Sequence, residues 1–257
     1  MPIVRGDTYK VAVIVVEKHQ ETRSVGEEER DRIPLTEAFP CPYLPGRLSQ
    51  SEVYAADGLT PDMYETLMTL GFRRSGRIVY RPVCADCSEC RQLRVPVATF
   101  RRSKSMRRVW RRNVDVSVSI QKPEPDEARY QLFRRYLNHQ HDGTMARTYQ
   151  AFTNFLYDSP MESVEFTYHV GDRMVAVSIA DNCEDGISSV YVYFDPEFRE
   201  RSLGVFSALW EIDYCVRENL SYYYLGFYIE SCPAMNYKAK YAPNEVADEG
   251  RWIRFKQ

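Results

Sequence analysis

Cys84, Cys87 and Cys90 stand at every third position in Arg81-Pro-Val-Cys-Ala-Asp-Cys-Ser-Glu-Cys90. No other feature limits the local fold as tightly. The spacing puts three soft ligands on one short loop, which suits zinc or an iron–sulfur cluster. Cys41, in Phe39-Pro-Cys-Pro-Tyr-Leu-Pro-Gly46, is a fourth thiol able to close a four-sulfur site. Free thiols, or a disulfide formed in air, are the plainer alternatives. The chain has seven cysteines, an odd number, with three of them in one loop. That favours a reducing cytoplasm over a disulfide framework.

Charge points the same loop at a polyanion. Residues 71–112 carry 12 arginines and one lysine against two acidic residues, whereas the whole chain has a net charge of −2. A single basic block on an otherwise acidic protein is a local electrostatic footprint. A solvated charged face is the bland reading. So one-signed a block repels itself without a phosphate polymer to neutralise it, and nucleic acid is the favoured partner. No apolar run reaches membrane-spanning length, and the first residues lack a signal-peptide core, so no membrane role is expected.

Periodicity lays out the elements. Val11–Val16 reads as a strand and residues 20–32 as a polar loop. Thr60 to Gly71 reads as a helix, with Thr60 as cap, Pro61 in the first turn, and Met63, Leu67 and Leu70 as its buried stripe. Ile78–Val83 and Leu93–Val97 read as strands flanking the cysteine loop, the layout of a metal knuckle. Arg101–Asn113 reads as a helix with Met106, Val109, Trp110 and Asn113 on one side. Its other side carries Arg101, Arg102, Lys104, Arg107, Arg108, Arg111 and Arg112. Val114–Ile120 alternates as a strand, and Lys122–Asp126 breaks the chain before a helix burying Leu132, Phe133, Tyr136 and Leu137. A hairpin of Val164–Val170 and Met174–Asp181 turns at Gly171-Asp172. A strand at Ile187–Phe194, an amphipathic helix over 201–218, a strand at Tyr222–Ile229 and a short helix at Pro233–Tyr241 complete the chain.

That order is the one found in acetyltransferase-like acyl-transfer domains, where two parallel strands splay and the acyl donor enters the gap. The splayed pair here is Ile187–Phe194 with Tyr222–Ile229. The expectation is an α+β chain: a smaller, basic, cysteine-containing N-terminal domain over residues 1–113, and an acetyltransferase-like catalytic domain over 114–257. The usual pyrophosphate loop of such domains is broken in Arg201-Ser-Leu-Gly-Val-Phe206. A bulky Phe206 crowds a pyrophosphate against the helix N-terminus, so coenzyme A is not expected.

Several motifs together resemble the aminoacyl-tRNA–protein transferase family, most closely its bacterial, leucine-transferring branch. They are Cys41-Pro-Tyr-Leu-Pro-Gly46, Gly71-Phe-Arg-Arg-Ser-Gly76, Tyr80-Arg-Pro-Val-Cys84 and the two following cysteines, and Phe100–Asn113. In the second half they are Ser188-Ser-Val-Tyr-Val-Tyr-Phe-Asp-Pro196, Arg201-Ser-Leu-Gly204, Tyr224-Leu-Gly226 and Met235-Asn-Tyr-Lys238. The resemblance implies transfer of leucine from charged tRNA to the α-amine of proteins starting with Asp or Glu. That product is a substrate for N-end-rule degradation. Arginine transfer by the same chemistry is the near alternative. A non-catalytic zinc-knuckle RNA-binding protein and a coenzyme A-dependent acetyltransferase are the rivals from other classes.

The reaction needs little covalent help, because an aminoacyl ester is already activated. The attacking α-amine has a pKa near 8 and must lose a proton, meet the carbonyl and have its oxyanion stabilised. Asp181, at a strand end, is a candidate to deprotonate or orient the amine, or else a turn residue. Tyr191 and Tyr193 share a strand face and are candidates to orient the ester, or else sheet packing. Ser189 is expected on that same face. Lys238 is a candidate to polarise the carbonyl or meet phosphate. Reading an acidic side chain asks for a guanidinium, and Arg73, Arg74, Arg77 and Arg81 are the candidates. The arginines between 101 and 112, with Lys104, suit tRNA backbone contacts. Cys41, Cys84, Cys87 and Cys90 are the metal candidates. His139-x-His141 lacks a ligand partner and reads as a helix-end feature. Cys183, Cys215 and Cys232 read as small scattered residues.

Overall fold

A computed structural model describes residues 34–140 and 148–255. The expected strand at Val11–Val16, the polar 20–32 segment and His141 lie outside the described residues. In chain order the elements are β1 (Phe39–Pro40), β2 (Leu48–Ser49), β3 (Ser51–Ala55), α1 (Pro61–Thr69), β4 (Arg73–Ser75), β5 (Ile78–Pro82) and β6 (Arg91–Pro96). They continue with α2 (Lys104–Arg112), β7 (Val116–Gln121), α3 (Glu127–Gln140), α4 (Tyr149–Leu156), β8 (Ser163–Val170), β9 (Arg173–Asn182) and β10 (Gly186–Phe194). The last are α5 (Leu203–Arg217), β11 (Tyr222–Tyr228), α6 (Pro233–Asn236), β12 (Glu245–Asp248) and β13 (Arg251–Arg254).

Among the described residues, eight strands form one mixed sheet in the order β13-β12-β6-β11-β10-β9-β8-β7, and β3-β5-β4 form a second, antiparallel sheet. Alternation along β11, shifted by one residue at the bulge between Tyr224 and Gly226, explains the layering. Tyr223 and Leu225 enter the core shared with α5, while Tyr224, Phe227 and Ile229 face the small sheet and α1. Helices α2 and α5 thus cover one face of the large sheet. Helices α1, α3 and α4 and the small sheet cover the other. Helix α5 anchors the first face through Leu203, Phe206, Leu209 and Ile212, all nearly fully buried. Each such side chain contributes roughly 1.5–3 kcal/mol of transfer free energy.

Two expectations fail here. The cysteine loop does not close a knuckle, because β5 pairs with β3 and β4 whereas β6 pairs with β11 and β12. The loop is a crossover between sheets, a choice that short apolar runs cannot announce. Residues 91–96, from the N-terminal half, therefore lie within the sheet built mainly by the C-terminal half. The second failure is in α1. It buries Tyr64 and Met68, while Met63 and Leu70 are about half exposed at 51 % and 45 %. The stripe is rotated by one position because a tyrosine, with its large apolar body, takes the core side. Thr60 caps nothing with its side chain and bonds Asp62 instead, although Pro61 and Gly71 sit where expected. Helix α2 begins at Lys104, capped by the Ser103 hydroxyl, and presents Met106, Val109, Trp110 and Asn113 inward as its periodicity requires.

The expected parting of parallel strands is present. β10 and β11 pair only over Gly186–Ser188 with Tyr222–Tyr224. At the closed end a Cβ on Gly186 would lie 2.3 Å from the Tyr222 carbonyl oxygen, so only glycine fits. Beyond it both strands bulge, β10 between Ser189 and Tyr191 and β11 between Tyr224 and Gly226. Bulges add a residue and re-aim the chain, and here they open a notch in the middle of the sheet.

Candidate active site

The notch is filled from the small sheet. Arg73, on β4, reaches across to β10 and donates from Nη2 to the carbonyl oxygens of Ser189 at 2.9 Å and Val190 at 3.2 Å. These carbonyls lie just past the last residue of β10 paired to β11. On the other wall the guanidinium lies against Gly226, which holds φ +75°. Arg73 is 8 % exposed. No carboxylate pairs with it among the described residues. A fixed cation therefore occupies the gap with donor capacity to spare, since a guanidinium carries five N–H groups.

Its neighbour Arg74 does the opposite. Successive strand residues point apart, and Arg74 turns to β9. Its Nε and Nη2 meet the two oxygens of Asp181 at 2.6 and 2.7 Å, and Nη1 donates to the Gly76 carbonyl at 2.8 Å. The Ser163 hydroxyl donates to Asp181 at 2.7 Å. Both side chains of the pair are wholly enclosed. Asp181 and Arg74, expected as amine base and acceptor reader, are thus each other's partners in this structure. Neither presents its charge to a ligand as placed.

The remaining arginine candidates are paired at the surface. Arg77 bridges Asp57 and Asp158, and Arg81 pairs with Glu52 while its guanidinium lies 4.7 Å from the Phe72 ring centroid. Lys238 is buried and donates from Nζ to the Phe227 carbonyl at 2.7 Å, one residue from Gly226. Burial, and then the nearby Arg73 charge, hold its ammonium well below the usual lysine range.

Tyr191 and Tyr193 point away from the notch toward α3 and α4. Tyr191 packs edge-on against Phe133, Tyr136 and Phe155. Tyr193 is fully buried, with its hydroxyl 3.0 Å from that of Tyr157, and burial pushes its phenol up. Ser189 does not share their face. It pairs with Ala180, whereas Tyr191 pairs with Ile179, because Val190 is the extra residue of the bulge. Strict alternation fails across a bulge.

Cys41, Cys84, Cys87 and Cys90 come together around one cavity of about 30 Å³, with Tyr43, Leu44 and Arg47 beside them. All four are free thiols, and the Leu44 amide donates to Cys41 Sγ at 3.4 Å. Burial, with the other three thiols close by, pushes the Cys90 thiol up. The donor set has the chemistry of a soft-cation site. Among the described residues no group of three or more His, Cys, Asp or Glu side chains is already arranged to hold a metal ion.

On the far face, Arg101, Lys104, Arg107, Arg108, Arg111 and Arg112 are exposed along α2 and its lead-in. Arg102 is the exception, pairing with Asp213 and stacking 3.6 Å from the Trp110 ring centroid. In the broken pyrophosphate-loop motif, Arg201 is held by Asp115 at 2.7 and 2.9 Å, and Ser202 adopts φ +55°.

Sequence reasoning passed over three participants. Gly226 carried a signal, since an isolated glycine inside a strand marks a bulge or a close approach. Glu52, on β3, and Ser163, on β8, carried none, because their roles depend on which strands face them.

Residues 39–108 match the N-terminal part, and residues 128–248 the C-terminal part, of the arginine-tRNA-protein transferase family. Related proteins of known name agree along nearly their whole length. The chain is 38 % identical to the aspartate/glutamate leucyltransferase of Pseudoalteromonas atlantica over 221 residues, 85 % of this chain and 95 % of that protein. It is 39 % identical to the protein of that name from Nitrosococcus oceani over 228 residues, 87 % of this chain and 95 % of that one. For Chromobacterium violaceum the identity is 35 % over 233 residues, 90 % and 96 % of the two chains. The chain belongs to the arginine-tRNA-protein transferase family. Among solved structures, the C-terminal domain of a putative lysylphosphatidylglycerol synthetase from Agrobacterium fabrum superposes with a TM-score of 0.45 at 10 % identity, covering 70 % of this chain and 62 % of that one. No helix among the described residues is long and apolar enough to cross a membrane.

Proposed function

We propose that the chain transfers leucine from leucyl-tRNA to the α-amine of proteins beginning with Asp or Glu, marking them in the cytoplasm for N-end-rule degradation. The names of its relatives support leucine as the group moved and acidic N-termini as acceptors. The parted strands β10 and β11, with α5 packed on one face, support an acetyltransferase-like arrangement in which the ester carbonyl lies at the notch.

One observation carries the residue-level reading. Of the four arginines expected to read the acceptor, only Arg73 lacks a carboxylate partner among the described residues, and it lies in the notch. In this reading the acceptor's Asp or Glu side chain pairs with Arg73, which brings the α-amine to the carbonyl. Lys238, its charge disfavoured by burial, takes over from Asp181 as the group that accepts the amine's proton. The amine nitrogen bonds the carbonyl carbon, the ester C–O bond breaks, and the ribose oxygen leaves with a proton. The exposed arginines of α2 hold the tRNA backbone on the α5 face, while the acceptor arrives from the small-sheet face. Cys41, Cys84, Cys87 and Cys90 would hold a zinc ion or an iron–sulfur cluster, which would brace the loop joining the two sheets.

The test is transfer of radiolabelled leucine from tRNA to peptides that start with Asp, Glu, Asn or Gln, with arginyl-tRNA run in parallel. Asp and Glu peptides should react and their amides lag far behind. Equal rates on all four would remove the acidic-acceptor reading. Arginine transfer without leucine transfer would replace the donor.

A further inference from the structure

We infer that Gly226 is a positioning residue: its missing side chain, with the bulge carbonyls of Ser189 and Val190, makes the seat that holds the Arg73 guanidinium in the notch. This rests on the reading of Arg73 as the group that meets the acceptor's carboxylate. The seat has two walls. On β10 the Ser189 and Val190 carbonyls both accept from Nη2 and fix the plane of the fork. On β11 an ideal Cβ at position 226 would lie 1.3 Å from Nη1, 2.5 Å from Cζ and 3.2 Å from Nη2. A methyl group and the guanidinium thus cannot share that space.

Which of the two would yield is set by the surroundings. Leu225 and Phe227 are buried on opposite faces of the sheet, and β11 is paired to β6 on both sides of Gly226. The backbone is therefore pinned, whereas Arg73 meets Gly226 only through the end of a flexible side chain. Added bulk at 226 should evict the guanidinium and leave the sheet standing. Charge alone does not explain the arrangement. A lysine reaching the same gap would offer one nitrogen, without the fork that sets Nη2 on the two carbonyls and Nη1 end-on against the glycine.

The experiment compares kcat/KM on Asp- and Asn-starting peptides of otherwise identical sequence. It uses the wild type, Gly226→Ala, Arg73→Met, the double variant and Gly171→Ala. Gly171 also has positive φ, at +58°, but nothing lies within 4 Å of its Cβ position, so it controls for backbone strain alone. Circular dichroism and leucyl-tRNA affinity report folding and the donor side. Gly226→Ala should lower the Asp-over-Asn preference by about tenfold or more, the worth of one charge-assisted hydrogen bond, chiefly through KM for the Asp peptide. In the Arg73→Met background it should remove no further preference, and Gly171→Ala should keep the wild-type ratio. If Arg73→Met abolishes the preference while Gly226→Ala keeps it, the seat is wrong and the acceptor reading stands. If Arg73→Met keeps the preference, the acceptor reading falls and takes the seat with it. Should Gly226→Ala fail to fold, the double variant decides: a folded double variant shows that the added methyl meets only the guanidinium and upholds the seat, whereas one that also fails to fold overturns it.

Discussion

Replacing Arg74 by Met should unfold the protein more readily rather than alter its choice of acceptor. The two hydrogen bonds of 2.6 and 2.7 Å to Asp181 disappear, and the carboxylate keeps only the Ser163 hydroxyl in a site with no solvent exposure. Leaving one partner of a buried ion pair unmatched costs about 3–5 kcal/mol. Domains are stable by about 5–15 kcal/mol in total, so a large share is lost. For a chain of this size, with about 2–4 °C per kcal/mol, the midpoint should fall by about 10 °C. Asp181→Asn should cost a similar amount, because Arg74 then keeps its charge without a counter-charge. Arg74→Met combined with Asp181→Leu should recover much of the loss, since no buried charge is left unmatched. Urea unfolding followed by tryptophan fluorescence gives the cycle, with the leucine-transfer rate measured well below each midpoint. The reasoning fails if Arg74→Met unfolds within about 1 kcal/mol of wild type, the ordinary scatter of point substitutions, and yet loses its preference for Asp over Asn. Arg74 would then be meeting the acceptor, and Asp181 would not depend on it.

Three further outcomes follow from particular residues. Glu211 is enclosed by α5 and the sheet, accepts from Ser178 at 2.6 Å and Tyr223 at 2.7 Å, and has its carboxyl pushed up to about 7 by burial. The folded state then holds a proton that the unfolded state releases near pH 4.5, so stability falls as pH rises from about 4.5 to 7, by on the order of 3 kcal/mol. Glu211→Gln should flatten that fall in urea titrations across the range; an unchanged slope would assign it elsewhere. Replacing Arg107, Arg108, Arg111 and Arg112 by Ala should weaken tRNA binding and reduce the salt slope of log affinity by about 0.7–0.9 for each phosphate that is no longer neutralised. An unaltered slope across a salt series would make α2 a solvated face. Protein purified without oxygen should carry zinc or iron in proportion to intact Cys41, Cys84, Cys87 and Cys90, and chelation should lower its thermal midpoint; metal analysis finding neither element would leave four ordinary thiols.

Much of this molecule is local and therefore readable. The hairpin of β8 and β9, the buried stripe of α5 and the amphipathic α2 follow from periods of 2.0 and 3.6 residues, which any short window displays. The parted strands were legible too, through the order of elements. The clustering of four cysteines around one cavity agrees with their spacing, since three share a loop and Cys41 precedes a turn that folds back on it.

What tertiary structure decided is pairing. Gly71-Phe-Arg-Arg-Ser-Gly76 offers two adjacent arginines that look interchangeable. The sheet separates them: alternation sends one to Asp181 on β9 and the other into the notch between β10 and β11. The fates of Tyr191 and Ser189 likewise hang on one bulge, which puts them on opposite faces where simple alternation puts them together. The cysteine loop joins two sheets rather than closing a hairpin, because β6 finds its partners in β11 and β12, far along the chain. A sequence states which charges exist. Which of them cancel, and which one is left facing a gap, depends on contacts between residues such as Arg74 and Asp181, 107 positions apart.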